Sequence, residues 1–119
     1  MILVFGKTGQ VATELQRLGD VVAFGRDQGD LSDPAACADI IRAHAPRVVI
    51  NAAAYTAVDK AEEDEALATV VNGDAPAAMA QACVALGIPL IHISTDYVFE
   101  GTGDAPWQPD CPTAPQNAY

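Results

Sequence analysis

A glycine-spaced turn near the start of the chain restricts its fold more than any other stretch. The apolar run of residues 1–5 is typical of a buried strand, and Gly6, Gly9 and Ala12 follow it at intervals of three. A strand can stop at Gly6 where a side chain would clash, the backbone at Gly9 can approach a phosphate, and small Ala12 lets a helix pack on the sheet. The positive end of that helix would then face a dinucleotide pyrophosphate. An ordinary glycine turn is the alternative, but the next strand follows at the distance of a βαβ unit.

Predicted strands and helices alternate along the rest of the chain. Val11, Leu15 and Leu18 have helical spacing, and Gly19 ends that helix. Further strands are predicted at residues 20–26, 47–53 and 88–94, and helices at 34–44, 59–71 and 75–86, with a break at residues 72–74. Continuous apolar runs are typical of parallel strands that are covered on both faces.

This alternation predicts an α/β fold with a Rossmann-type doubly wound parallel sheet. The expected strand order is 3-2-1-4-5, in which residues 29–31 form a short third strand or none. Residues 1–119 would form one incomplete dinucleotide-binding domain, and residues 100–119, which are rich in proline, would form a loop that leads to Tyr119.

Composition excludes several classes of partner and site. The formal charge of −10, with only six basic residues, argues against nucleic-acid binding. The three cysteines are scattered and favour neither a disulfide framework nor a zinc site, which indicates a reduced, cytoplasmic setting. No stretch approaches the ~20 apolar residues of a membrane span. The carboxylates of residues 59–65 lack ligand spacing, so we predict no metal site.

Two further features concern the expected cofactor. Arg26 stands twenty residues after Gly6, where a guanidinium can clamp the 2′-phosphate of NADP(H). A solvated arginine is the alternative reading, and the neighbouring Asp27 leaves NAD(H) open. The alanine run Ala52–Ala54 ends a predicted strand and would leave room for a cofactor, although close helix packing would also explain it.

Three segments together resemble one family, the dTDP-4-dehydrorhamnose reductases, which are extended short-chain dehydrogenases/reductases. They are residues 5–11, residues 51–62 and the run Ser94-Thr95-Asp96-Tyr97-Val98-Phe99. The resemblance implies reduction of dTDP-4-dehydro-L-rhamnose to dTDP-L-rhamnose, a step of dTDP-rhamnose biosynthesis for cell-wall polysaccharide. It also implies NADPH as the hydride source, with NADH as the alternative, and a dTDP-4-keto sugar as the partner.

The resemblance also implies roles for individual residues. Thr95 and Tyr119 match the catalytic hydroxyls, and Val58 and Asp96 fall where the family touches substrate. Together with Arg26, the expected cofactor-binding residues are Gly6, Lys7, Thr8, Gly9, Gln10, Val11, Asp30, Leu31, Ala52, Ala53 and Ala54.

The expected chemistry needs a proton donor for the carbonyl oxygen that receives hydride at its carbon. A tyrosine can donate the proton while a threonine hydroxyl stabilises the oxygen. Free tyrosine has a pKa near ~10, so proton exchange near pH 7 requires a pKa that is lower by about three. A lysine charge about 4 Å away lowers the tyrosine pKa by roughly this amount. The family's lysine would stand four places after Tyr119, outside this sequence.

We therefore expect a fragment of a longer reductase, inactive alone, with a truncated natural product as the alternative. A homodimer of the full-length protein stays open. Two other functions also stay open. One is a non-catalytic regulatory subunit of the kind that binds methionine adenosyltransferase, and the other is a reductase of another nucleotide sugar.

Overall fold

The computed structural model describes residues 1–119 and contains one parallel sheet of four strands. The strands are β1 (Ile2–Phe5), β2 (Val21–Phe24), β3 (Val48–Asn51) and β4 (Leu90–His92). Their order across the sheet is β2-β1-β3-β4, and every neighbouring pair is parallel. Each strand is shorter than the apolar pattern suggested, because pairing stops where the chain turns at the sheet edges.

The predicted strand order is confirmed, with its optional third strand absent. Residues 29–31 form a turn, although Leu31 is buried in the core. The chain moves outward from β1 to β2 and then returns past β1 to β3. Right-handed crossovers in opposite directions place their helices on opposite faces of a sheet. The doubly wound arrangement follows from this topology.

The helices are α1 (Gln10–Arg17), α2 (Pro34–His44), α3 (Val58–Ala61), α4 (Glu65–Thr69) and α5 (Ala75–Leu86). The predicted start of α2 is confirmed, because the Asp33 side chain accepts the N–H of Ala36 at 3.1 Å and Pro34 occupies the first turn. Gly87 ends α5 in the left-handed conformation, as the sequence predicted.

The main core lies between the sheet and the pair α2 and α5. Leu3, Phe5 and Val49 point to this face, where they meet Ile41 of α2 and Met79 of α5. The burial predicted for Met79 and Cys83 is therefore confirmed. Alternation along β1 points Val4 to the opposite face, on the side where α1 packs along β2.

The outer side of α1 is less buried than its apolar spacing suggests. The spacing of Val11, Leu15 and Leu18 identifies the helix correctly, but Leu18 is 80% exposed and Val11 47% exposed. Only small Ala12 is fully buried, which is the packing role expected for it. No helix of the chain combines the length and the apolar character that crossing a bilayer requires.

The prediction for residues 59–74 is wrong in two respects. The single helix expected over 59–71 is divided into α3 and α4 by a turn at residues 62–64. The break expected at residues 72–74 is absent, because the backbone of Val70–Asp74 continues from α4 into α5 as a π-helical segment. Such an insertion widens one turn and lets a glycine stay within the helix. Residues 65–86 are therefore continuously helical.

Candidate functional site

A cleft of about 1000 Å³ runs along the carboxyl edge of the sheet. Residues that follow β2, β1, β3 and β4 all line it, so it crosses the whole sheet. The strand order reverses at β1, which makes this the switch point where open α/β sheets bind ligands. Every predicted cofactor residue lines the cleft: Gly6, Lys7, Thr8, Gly9, Gln10, Val11, Arg26, Asp30, Leu31, Ala52, Ala53 and Ala54.

Close backbone packing holds the turn between β1 and α1 at Gly6. The φ angle of Gly6 is +107°, and a Cβ there would lie 3.1 Å from the carbonyl oxygen of Ala52. The N–H of Gly6 donates to the carbonyl oxygen of Phe24 at 2.8 Å. The turn is thus packed against residues on both sides, and the fold itself requires glycine at this position.

Gly9 has a different environment, because it faces open space. A Cβ at Gly9 would meet no heavy atom within 4 Å, and its φ of −71° is accessible to any residue. Gly9 caps α1 without a side-chain hydrogen bond, and the first turn of α1 contains no acidic residue. Free N–H groups and the positive end of the helix dipole therefore face the cleft beside Lys7. This arrangement fits a phosphate group.

Arg26 and Asp30 lie at the β2 end of the cleft. The Asp30 carboxylate accepts the N–H of Ser32 at 2.9 Å. That hydrogen bond, together with the weaker effect of the Arg26 charge, lowers the pKa of Asp30. Lys7 and Arg26 are two of only six basic residues in this acidic chain, and they line the cleft together with the two acidic residues Asp27 and Asp30.

Asn51 supports the wall of the cleft from beneath. It is 1% exposed and ends β3, where its Oδ1 accepts the N–H of Ala53 at 3.1 Å. Its Nδ2 lies 3.1 Å from Nδ1 of His92 at the end of β4. The side chain therefore fixes the alanine run and joins two strand ends. Asn51 was not singled out from the sequence, where its one signal is a polar residue directly after an apolar strand.

The proline-rich segment returns the end of the chain to the cleft. Residues 100–119 contain no helix or strand, and Phe99 stacks on Trp107 with ring centroids 5.3 Å apart. The N–H of Ala118 donates to Oε1 of Glu62 at 2.9 Å. Tyr119 consequently lines the cleft and packs edge-on against Tyr97 at 5.9 Å. The sequence did not identify this anchor, because Glu62 lies in a charged run that is typical of a solvated surface.

The other predicted site residues lie beside the cleft and do not line it. Thr95 follows β4 and begins a short 3₁₀ turn, in which its Oγ1 accepts the N–H of Tyr97 at 3.2 Å. Asp96 is exposed in the same turn, and Val58 begins α3. The catalytic role of Thr95 and the substrate contacts of Val58 and Asp96 stay predictions.

The cleft also contains residues that the sequence did not single out. No group of three or more histidine, cysteine or acidic side chains has the geometry to hold a metal ion. The additional residues along the cleft are Phe24, Gly25, Gly29, Asn51, Thr56, Val71 and Ile93. Asp27 and Ser94, which the sequence did indicate, line it as well.

Comparison with characterised proteins finds relatives along the whole chain. It is 51% identical over 122 residues to a dTDP-4-dehydrorhamnose reductase of Burkholderia thailandensis and 47% identical over 126 residues to that of Escherichia coli. Each alignment covers 99% of this chain, and the chain spans 41% and 42% of the lengths of these relatives, respectively.

Solved structures of similar proteins share the fold closely. The dTDP-4-dehydrorhamnose reductase of Bacillus anthracis, solved in complex with NADP, superposes with a TM-score of 0.92 at 31% identity. The match covers 99% of this chain and 44% of that protein. A family model described as the RmlD substrate binding domain matches residues 1–119. The chain therefore belongs to the RmlD substrate binding domain family, in agreement with its resemblance to the dTDP-4-dehydrorhamnose reductases.

Proposed function

We propose that this chain is the NADP(H)-binding part of a dTDP-4-dehydrorhamnose reductase. The observation that carries the proposal is the open glycine turn of Gly9 at the switch point of the sheet, in the same cleft as Tyr119. The names of the relatives and the NADP complex of the Bacillus anthracis protein support it.

Each part of the cofactor would have its own place along the cleft. The turn after β1 would hold the pyrophosphate, since it provides free N–H groups and Lys7. Arg26 and Asp30, after β2, would then contact the adenosine ribose and its 2′-phosphate. The nicotinamide would lie toward the ends of β3 and β4, where Ala54, Ser94 and Tyr119 line the cleft.

The reaction we propose is transfer of hydride from the bound dinucleotide to the 4-keto carbon of a dTDP sugar. Tyr119 would donate a proton to the carbonyl oxygen, and Thr95 would stabilise the charge on that oxygen. The resemblance implies a lysine four places after Tyr119, and we expect turnover only from a polypeptide that contains it. We further propose a cytoplasmic location for the protein. Its self-association should be measured on the longer polypeptide.

Titration of the 119-residue chain with NADPH and with NADH, followed by nicotinamide fluorescence, tests the binding proposal. We expect NADPH to bind more tightly, because Arg26 can pair with the 2′-phosphate. The variant Arg26→Ala should lose this preference while it keeps NADH affinity, and Arg47→Ala at the opposite edge of the sheet is the matched control. Failure of both dinucleotides to bind would contradict the proposal.

Turnover tests the assignment of substrate. A version extended beyond Tyr119 should oxidise NADPH with dTDP-4-dehydro-L-rhamnose, whereas the 119-residue chain should not. Oxidation only with another nucleotide sugar would identify a different reductase. Binding of NADPH without any turnover by the extended protein would favour a regulatory module.

A further inference from the structure

Glu62 makes the single side-chain hydrogen bond that joins residues 100–119 to the rest of the chain. Its Oε1 accepts the N–H of Ala118 at 2.9 Å, across 56 positions of sequence. The other side-chain hydrogen bonds of this proline-rich segment stay within it. A charged acceptor binds a backbone N–H more strongly than a neutral one. Glu62 therefore fixes the backbone directly before Tyr119.

A compact turn at the end of α3 holds Glu62 in place. The N–H of Glu62 donates to the carbonyl oxygen of Asp59 at 3.3 Å, and the N–H of Glu63 donates to that of Lys60 at 3.0 Å. Ala61, which precedes Glu62, is fully buried. Packing and backbone hydrogen bonds thus fix the main chain at this point, although Glu62 itself is exposed.

The helix that ends at this turn also reaches the edge of the cleft. It begins at Val58, where the resemblance implies a contact with substrate, and Thr56 just before it lines the cleft. Residues four apart lie on the same side of a helix, so Val58 and Glu62 share one side of α3. Through Glu62, α3 is joined to the segment that contains Tyr119.

No other polar contact joins the chain to the domain so close to Tyr119. The N–H of Ala114 donates to the carbonyl oxygen of Val98 at 2.8 Å, but this hydrogen bond lies well before Tyr119 in the sequence. The Tyr119 ring packs edge-on against Tyr97 at 5.9 Å, a contact that involves only side chains. Loss of the Glu62 hydrogen bond would therefore free the backbone from Ala114 onward.

We propose that Glu62 is a positioning residue that sets the place of the Tyr119 hydroxyl in the cleft. It acts through the backbone of Ala118 and does not line the cleft itself. The inference rests on the proposed function, because it takes Tyr119 as the proton donor. A proton donor must lie within hydrogen-bond reach of the carbonyl oxygen, and a displacement of about 1 Å can slow a reaction about 100-fold. Loss of the anchor should slow the chemical step and leave cofactor binding unchanged.

Steady-state kinetics of the polypeptide extended beyond Tyr119 measure this effect with NADPH and dTDP-4-dehydro-L-rhamnose. Glu62→Ala should lower kcat about tenfold, as expected for loss of one charge-assisted hydrogen bond. The KM for the sugar should stay within about twofold, so that kcat and kcat/KM fall together. The Kd of NADPH, measured by fluorescence titration, should be unchanged. Glu63→Ala, which removes the exposed carboxylate next in the chain, is the matched control.

Two conservative variants separate the hydrogen bond from the charge, and they carry the test if Glu62→Ala does not fold. Glu62→Gln keeps an acceptor at the same distance along the side chain and should restore most of kcat. Glu62→Asp keeps the charge, but its shorter side chain moves the acceptor away from Ala118, so it should be about as slow as Glu62→Ala. The opposite order of these two variants would overturn the inference, as would an unchanged kcat in Glu62→Ala. A loss of NADPH affinity as large as the loss of kcat would also overturn it.

Amide hydrogen exchange of the 119-residue chain tests the same contact without turnover. The Ala118 amide should be protected in the wild type and in Glu62→Gln, and it should exchange faster in Glu62→Ala and Glu62→Asp. Equal exchange in all four proteins would overturn the role of Glu62. An extended wild-type protein that does not reduce the sugar would instead refute the proposed function, and exchange at Ala118 would still decide whether Glu62 holds this segment.

Discussion

Alanine at Gly6 should lower the stability of the fold, whereas alanine at Gly9 should weaken NADPH binding and leave stability almost unchanged. At Gly6 the φ of +107° is strained for any residue with a Cβ, at a cost of about 1–3 kcal/mol. The added Cβ would also lie 3.1 Å from the Ala52 carbonyl oxygen, and the backbone shift that relieves this contact costs about 1–3 kcal/mol more. We therefore expect Gly6→Ala to lower the free energy of unfolding by about 2–6 kcal/mol.

Thermal unfolding followed by circular dichroism measures this loss. An unfolding entropy of about 2.1 cal/mol/K per residue gives roughly 0.25 kcal/mol/K for 119 residues. A loss of about 4 kcal/mol, the middle of the range, should then lower Tm by about 16 °C.

Gly9→Ala should leave the fold almost unchanged. A Cβ added at Gly9 would have no atom within 4 Å. Alanine is a poorer helix cap than glycine, but it also lowers the entropy of the unfolded chain, and the two effects should cancel to within about 1 kcal/mol. The methyl group would, however, lie where we place the pyrophosphate. NADPH affinity, measured by fluorescence titration, should fall at least about tenfold, since the phosphate loses its N–H contacts.

Two results would refute this reasoning. If Gly9→Ala binds NADPH as tightly as the wild type, no phosphate approaches the backbone at Gly9. If Gly6→Ala unfolds at the wild-type temperature, the close packing against Ala52 does not constrain the turn.

Three further predictions concern titration and buried polar contacts. Burial is the main cause that raises the pKa of Cys37 to about 11, and the charges of nearby aspartates add to it. The stability that the protonated thiol contributes is therefore complete below the usual pKa of 9.0 and is lost as pH rises through about 11. At pH 8 a thiol reagent should label the half-buried Cys111 first and reach Cys37 only as fast as the chain unfolds, which colorimetric kinetics can check. The lowered pKa of Asp30 gives stability that is present above its usual pKa of 3.8 and is lost at lower pH. Urea unfolding of Asp30→Asn should accordingly show a flatter dependence on pH in the acid range, and an unchanged slope would contradict the role of the Ser32 hydrogen bond. Asn51→Ala should cost about 1–3 kcal/mol in urea unfolding at pH 7, because it leaves the half-buried N–H of Ala53 without its partner.

Local chemistry made much of the fold predictable. Apolar runs identified all four strands, and Asp33, Pro34 and Gly87 marked helix ends through capping and backbone preferences that involve only nearby residues. The break expected at Gly73 was wrong for a related reason, since glycine and asparagine favour turns only when no packing opposes the turn. In the structure, burial of Ala68 and Ala75 keeps the helix continuous through this segment.

The cleft was predictable for the part that follows β1, β2 and β3, because parallel strands bring their carboxyl ends to one edge. The residues that support the cleft were not predictable. Asn51 joins His92 across 41 positions, and Glu62 joins Ala118 across 56 positions. Neither pair has a periodic signal, because a hydrogen bond between distant segments depends on where the whole chain places two side chains.

The sequence by itself determined the glycine turn, the alternation of strands and helices, and hence the edge of the sheet where a ligand can bind. These features depend on backbone sterics and on hydrophobic periodicity, both of which act over a few residues. Only the tertiary structure decided that Gly6 packs on Ala52 while Gly9 stays open, and that Asn51 joins the ends of β3 and β4. The physical reason is that close packing and polar pairing between distant segments exist only after the helices have docked on the sheet.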